Sequence, residues 1–174
     1  LMAHFSEIKT DNNEVIRTIV INDNDISSFG ENSVEAENWV ATNIPDDDYL
    51  KEHKFSGNYP ETYWKRTSYN TKQNQHTDGG TAFRGNYAGP GYVYDSVNDV
   101  FWPASPFASW VKNNSITDWE APVTFPPFNQ DIDGTSYEII PKWDEDNLKW
   151  IGTTAGDSIK NVEWDADNNT WNLI

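Results

Sequence analysis

Three stretches of the chain repeat one plan: Tyr94-Asp95-Ser96-Val97-Asn98-Asp99-Val100-Phe101, Trp143-Asp144-Glu145-Asp146-Asn147-Leu148-Lys149-Trp150 and Trp164-Asp165-Ala166-Asp167-Asn168-Asn169-Thr170-Trp171. An aromatic at i and another at i+7, with Asp at i+1 and Asn at i+4, fits a β-hairpin with a two-residue turn at i+3/i+4. That register sets the two rings opposite each other on one face. Ile8 to Val15 repeats the spacing with aliphatic residues around Asp11-Asn12-Asn13. Isolated two-stranded ribbons are marginal in water, so hairpins this small must be buried by something else. The pattern therefore points first to an assembled or surface-docked structural protein.

Composition narrows the choice. At 174 residues the chain is long enough for one modest core with attached hairpins. Hydrophobic residues are 36% and aromatics 14%, with nine Trp, so apolar content sits in large flat side chains. Cores are expected to be aromatic clusters, each ring pair contributing about 0.5–1.5 kcal/mol beyond its burial. The net charge of −16 argues against nucleic acid and anionic membranes, since phosphate contacts require clustered Lys or Arg. With no Cys there is no disulfide, thiol nucleophile or thiolate metal site. The opening Met2-Ala3-His4-Phe5-Ser6-Glu7-Ile8 lacks the charged start and apolar run of a signal peptide, and no stretch has the length of a membrane span.

Along the chain, the alternation from Phe5 to Ile21 predicts a core hairpin. Ser33 is placed to cap a single short helix, with Ala36, Trp39, Val40 and Ile44 at helical spacing and Pro45 closing it. Asp46 to Asp48 and the segment from Lys51 to Glu61 read as loop, Tyr63 to Tyr69 as a strand, and Thr71 to Gly80 as a polar loop. Phe83 to Asp95 combines aromatics with glycines, which suits tight turns packed under rings in the core. Prolines at 103, 106, 122, 126 and 127 favour edge or extended structure, and a turn at Asn114-Ser115 would place Trp110 opposite Trp119.

The expected fold is mainly β, with short antiparallel sheets and hairpins and one short helix. Residues 1–102 form a core domain with the helix near 33–44, 103–130 a Pro-rich extended segment, and 131–174 tandem Trp hairpins, the last two acting as arms. In that arrangement Trp150→Ala or Trp171→Ala weakens attachment more than core stability.

An ordered set of motifs runs through most of the chain: Met2-Ala3-His4-Phe5 before an Asn-turn hairpin, Trp64-Lys65-Arg66-Thr67-Ser68-Tyr69-Asn70, and Phe83 through Tyr92. Tyr94-Asp95, Phe101-Trp102-Pro103, Pro106-Phe107-Ala108-Ser109-Trp110, and Trp119-Glu120-Ala121-Pro122-Val123 with a closing Trp hairpin complete it. In these the chain resembles small virion-associated proteins of tailed bacteriophages that infect marine bacteria. It departs from them in the longer polar loop at 71–80 and in its second C-terminal Trp hairpin. The resemblance implies a head-decoration or tail-accessory component of the virion, made in the host cytoplasm. It also implies other virion proteins as partners and repeated copies on a lattice or a homo-oligomer, and it supplies no catalytic residues.

Candidate sites are weak in the sequence. His4, His53 and His76 lie in separate elements without an i, i+4 partner, so no metal is expected. Asn129 to Gly134 starts like a calcium loop, but the twelfth position is Ile140 and Glu138 falls two places early, so a turn capped by Asp is the better reading. No nucleophile elbow, phosphate loop or zinc-protease motif is present, and neither an enzyme nor a cofactor is expected. The interface or glycan-stacking candidates are Trp102, Trp110, Trp119, Trp143, Trp150, Trp164 and Trp171. The alternative function is accordingly a carbohydrate-binding module that stacks exposed Trp and Tyr faces on a host-surface glycan.

Overall fold

The computed structural model describes residues 2–26 and 34–174. It is mainly β and divides into two compact units, residues 1–104 with 113–118, and residues 105–112 with 119–174. Ser33 lies outside the described residues.

The first unit is built on β1 (Met2–Lys9), β2 (Val15–Asn22) and β3 (Thr62–Thr67), in the order β2-β1-β3. Alternation in β1 and β2 puts Ala3, Phe5 and Ile21 on one face, where they pack with Ala36, Val40 and Trp64. Ile8 and Val15 pair across the hairpin as the spacing predicts, and join a second cluster with Ala88, Tyr94 and Phe101. Among the described residues three helices accompany the sheet where the sequence shows one: α1 (Asp23–Ile26), α2 (Val34–Asn43) and α3 (Asp48–His53). The last was hidden in an Asp run. Asp47 is its N-cap, its carboxylate accepting from Leu50 N at 2.9 Å.

The Gly-rich aromatic segment enters this core without regular structure. Its polar backbone is satisfied by side chains: Ala88 O accepts from Thr18 Oγ1 at 2.7 Å, and Thr67 Oγ1 accepts from Ala88 N while donating to Asn86 O. Asn86 completes the arrangement, its buried Nδ2 donating to Phe101 O and Thr117 O and its Oδ1 accepting from Gln73 N. Gly85 precedes it at φ +73, and a Cβ there would meet Thr117 Oγ1 at 2.7 Å. The polar stretch after Tyr69 forms a small hairpin, β4 (Thr71–Lys72) with β5 (Gln75–His76), and β6 (Val93–Asp95) pairs with β7 (Val100–Trp102). A further ribbon, β8 (Val111–Asn113) with β9 (Asp118–Glu120), has its turn in the first unit.

The second unit is an up-and-down sheet of five strands: β10 (Asn129–Ile132), β11 (Thr135–Asp144), β12 (Lys149–Thr154), β13 (Asn161–Asp165) and β14 (Thr170–Leu173). The two Trp hairpins are therefore not separate arms; they are consecutive pairs of one sheet with its own core. Trp143 pairs with Trp150 and Trp164 with Trp171, at ring centroid distances of 5.1 and 5.4 Å. The Asp133-Gly134 turn joins β10 to β11 with both residues at positive φ. The edges β10 and β14 are drawn together by Gln130, whose side chain bonds both backbone groups of Trp171.

The repeated hairpins share one loop, and it is four residues long, not two. Asp95, Asp144 and Asp165 end their strands, and each takes a 2.8 Å bond from the Nδ2 of Asn98, Asn147 or Asn168. The same carboxylates accept the Asn backbone N–H. Asp99, Leu148 and Asn169 then turn the chain back at φ 51. Both loop lengths bring i opposite i+7, so the ring pairing survives the change.

Candidate functional site

Two buried carboxylates, Glu7 and Glu37, are the first chemical candidates, because a buried charge must be held by something. Glu7 binds Arg17 Nε and accepts from Tyr59 Oη at 2.9 Å and Thr62 Oγ1 at 2.7 Å. Glu37 takes Lys65 Nζ at 2.8 Å, Arg84 Nη1 at 2.6 Å and Arg66 N at 3.0 Å. Each carboxylate is saturated by groups from distant parts of the first unit, which makes them ties between α2, the sheet and the Gly-rich segment. Burial raises the Tyr59 and Tyr94 pKa values, reinforced by the bonds to Glu7 and Asp99 respectively, so both phenols stay protonated donors. Among the described residues no group of three or more His, Asp or Glu is placed to hold a metal ion. No helix among them is long and apolar enough to cross a membrane.

The second unit carries an aromatic cleft of about 420 Å³, lined by Trp110, Trp119, Pro122, Val123, Phe125 and Trp150. Its wall is the Pro-rich segment, fastened across the sheet by indole donors. Trp150 Nε1 donates to Val123 O at 3.0 Å and Trp171 Nε1 to Pro127 O at 2.9 Å. Proline suits this strap, since it brings acceptor carbonyls without an N–H that burial would strand. A second anchor is Glu145, which accepts from Ser109 N, Ser109 Oγ and Trp143 Nε1 at 2.7–2.9 Å. Those bonds, the Ser109 hydroxyl foremost, hold the Glu145 carboxyl below the ordinary range.

At the cleft, Trp110 meets the edges of Trp143 and Trp150, with centroids 6.5 and 6.1 Å away. Its indole N–H has no acceptor among the described residues. Trp110 does not face Trp119 as the expected turn would have it; the loop 114–117 brings Lys112 instead, with Nζ 5.6 Å from the Trp119 ring centroid. Phe125 stands over Trp150 at 4.9 Å and packs on Phe128 at 5.3 Å.

Of the seven tryptophans singled out in the sequence, only Trp110 and Trp119 are partly exposed cleft walls; Trp150 reaches the cleft from the core. Trp102, Trp143, Trp150, Trp164 and Trp171 are all buried, so their faces are not open for stacking. Phe125, Glu145 and Gln130 were missed, because only the strap's folding back over the sheet gives them partners.

Comparison of the chain with protein families, curated proteins and solved structures finds no match.

Proposed function

We propose that the chain is a non-catalytic structural component of a tailed-bacteriophage virion, a head-decoration or tail-accessory protein present in repeated copies. It docks on a larger symmetric scaffold through the aromatic cleft of its second unit. The resemblance drawn from the ordered motifs of the sequence is what points to the particle. The observation that carries docking is the Phe125–Phe128 pair, 52% and 58% exposed beside the cleft. Large apolar rings grouped at a concave surface gain free energy when a partner covers them. The occupant is an apolar side chain of a shell or tail protein that covers the Phe125 and Phe128 rings. The net charge of −16 keeps copies soluble and confines contact to such patches.

The test is quantitative mass spectrometry of gradient-purified particles carrying either the native chain or its Phe125→Ala/Phe128→Ala variant. Native copy number in fixed ratio to the shell or the tail protein, with loss of the variant from particles, is the expected result. Absence of the native chain from particles overturns the reading.

A further inference from the structure

The first unit holds a cleft of different character, about 460 Å³ in volume, whose walls include Tyr69, Tyr87, Tyr92, Lys72, Gln73 and Asp118. That volume is within the roughly 300–1,000 Å³ of small-molecule sites. Tyr69 is 69% exposed yet fixed in place. His4 stacks on it at 5.8 Å and 22°, and Tyr87 meets it edge-on at 5.4 Å. Burial, with Arg66 nearby, lowers the His4 pKa, so at neutral pH the ring behind Tyr69 is an uncharged flat support. The exposed phenol is thus an aromatic surface held by two rings, at little further entropic cost to a ligand.

Polar groups surround it. Gln73 Nε2 donates to Asp118 Oδ2 at 2.7 Å, fixing a planar amide and a carboxylate side by side. Gln73 and Asn74 form the two-residue turn between β4 and β5, both at positive φ, 49 and 58, as a primed hairpin turn requires. It is held by Asn86 Oδ1 on Gln73 N and by Gly85 O on Asn74 N, both at 2.8 Å. Burial raises the pKa values of Tyr87 and Tyr92, aided by Tyr69 and by Asp118, so both remain neutral hydroxyl donors.

A rigid ring face bordered by phenol, amide, carboxylate and ammonium groups matches one ligand chemistry. A pyranose has a flat C–H face to lay on an aromatic ring and a rim of hydroxyls that both donate and accept. The net charge of −16 disfavours polyanions, which leaves neutral sugars. We propose that this cleft binds a neutral oligosaccharide, one pyranose ring stacking on Tyr69 while its hydroxyls bond Gln73, Asp118 and the Tyr87 and Tyr92 phenols. This binding does not depend on the docking proposed above.

The experiment is calorimetric titration of the full chain with cellohexaose, chitohexaose, maltohexaose and mannohexaose. At least one of the four is expected to bind. For that sugar, Tyr69→Ala weakens binding at least about tenfold, while Tyr69→Phe, which keeps the ring, stays within about threefold. Tyr69 is exposed, so Tyr69→Ala retains the fold, which circular dichroism checks. Phe125→Ala, which alters the second-unit cleft away from Asp118, leaves the affinity unchanged. Absence of binding to all four sugars overturns the proposal, and so does binding that survives Tyr69→Ala or is lost in Phe125→Ala.

Discussion

The side-chain amide of Gln130 pairs with the backbone of Trp171 as a strand would: Oε1 accepts from Trp171 N at 2.7 Å and Nε2 donates to Trp171 O at 3.1 Å. One side chain thereby does the work of a missing ladder between β10 and β14 and satisfies an edge that would otherwise be open. Thr170 Oγ1 takes the same Nε2 at 2.7 Å and fixes the amide orientation.

Gln130→Ala is expected to lower the stability of the second unit by about 1–3 kcal/mol, because it strands both groups of Trp171. Six of the nine tryptophans are in that unit, so urea denaturation followed by tryptophan fluorescence reads it directly. An unchanged midpoint would show that the strap and β14 hold without the amide.

In the first unit the corresponding tie is Asn86, which bonds Gln73 N, Phe101 O and Thr117 O from three separate segments. Asn86→Ala leaves several buried groups without partners and is expected to cost roughly 2–4 kcal/mol. Amide hydrogen exchange should localise the loss to β4, β7 and the turn before β9. Exchange that stays at native rates at Gln73 would refute the assignment.

The structure also reverses an expectation about the hairpin tryptophans. Trp150 and Trp171 are 4% and 1% exposed and belong to the core of the second unit. Trp150→Ala and Trp171→Ala should each destabilise the unit by about 3–5 kcal/mol, so any loss of attachment would follow from unfolding. Phe125→Ala is the contrasting variant, since its ring is half exposed and its removal should leave the denaturation midpoint nearly in place. Thermal melts of the three variants side by side separate the cases.

What could be read from the chain was the local part. Asp at i+1 and Asn at i+4 bond each other across one turn, so Trp143 with Trp150 and Trp164 with Trp171 were visible as pairs. The turn length was not, because two- and four-residue loops give the same ring register. Asp47 was indistinguishable from its acidic neighbours until Leu50 N turned toward it. The closure by Gln130 spans 41 residues and the Arg84–Glu37 tie 47, and no periodicity records a partner at that distance. The tyrosine cleft was hidden for the same reason, since Tyr69, Gln73, Tyr92 and Asp118 meet only after the Gly-rich segment is buried.

The shared turn makes the second unit sensitive to acid. Asp144 and Asp165 have pKa values below the ordinary 3.8, chiefly because Asn147 and Asn168 donate to their carboxylates. Glu145 is lowered in the same sense by Ser109 and then by the Trp143 indole. A carboxyl with a depressed folded-state pKa contributes stability that is fully present above its unfolded value and is lost as pH falls through the folded one. The stability of the second unit should therefore decline as pH drops below the ordinary carboxylate range and stay level toward neutrality. In Asp144→Asn/Asp165→Asn the single amide oxygen replaces only one of the two carboxylate oxygens that accept bonds from the turn, which lowers the stability at every pH, and neither position titrates. Urea midpoints measured for both proteins at a series of pH values down to about pH 2 should give a shallower acid limb for the variant. Parallel acid limbs would mean that the two turn carboxylates do not couple folding to protonation.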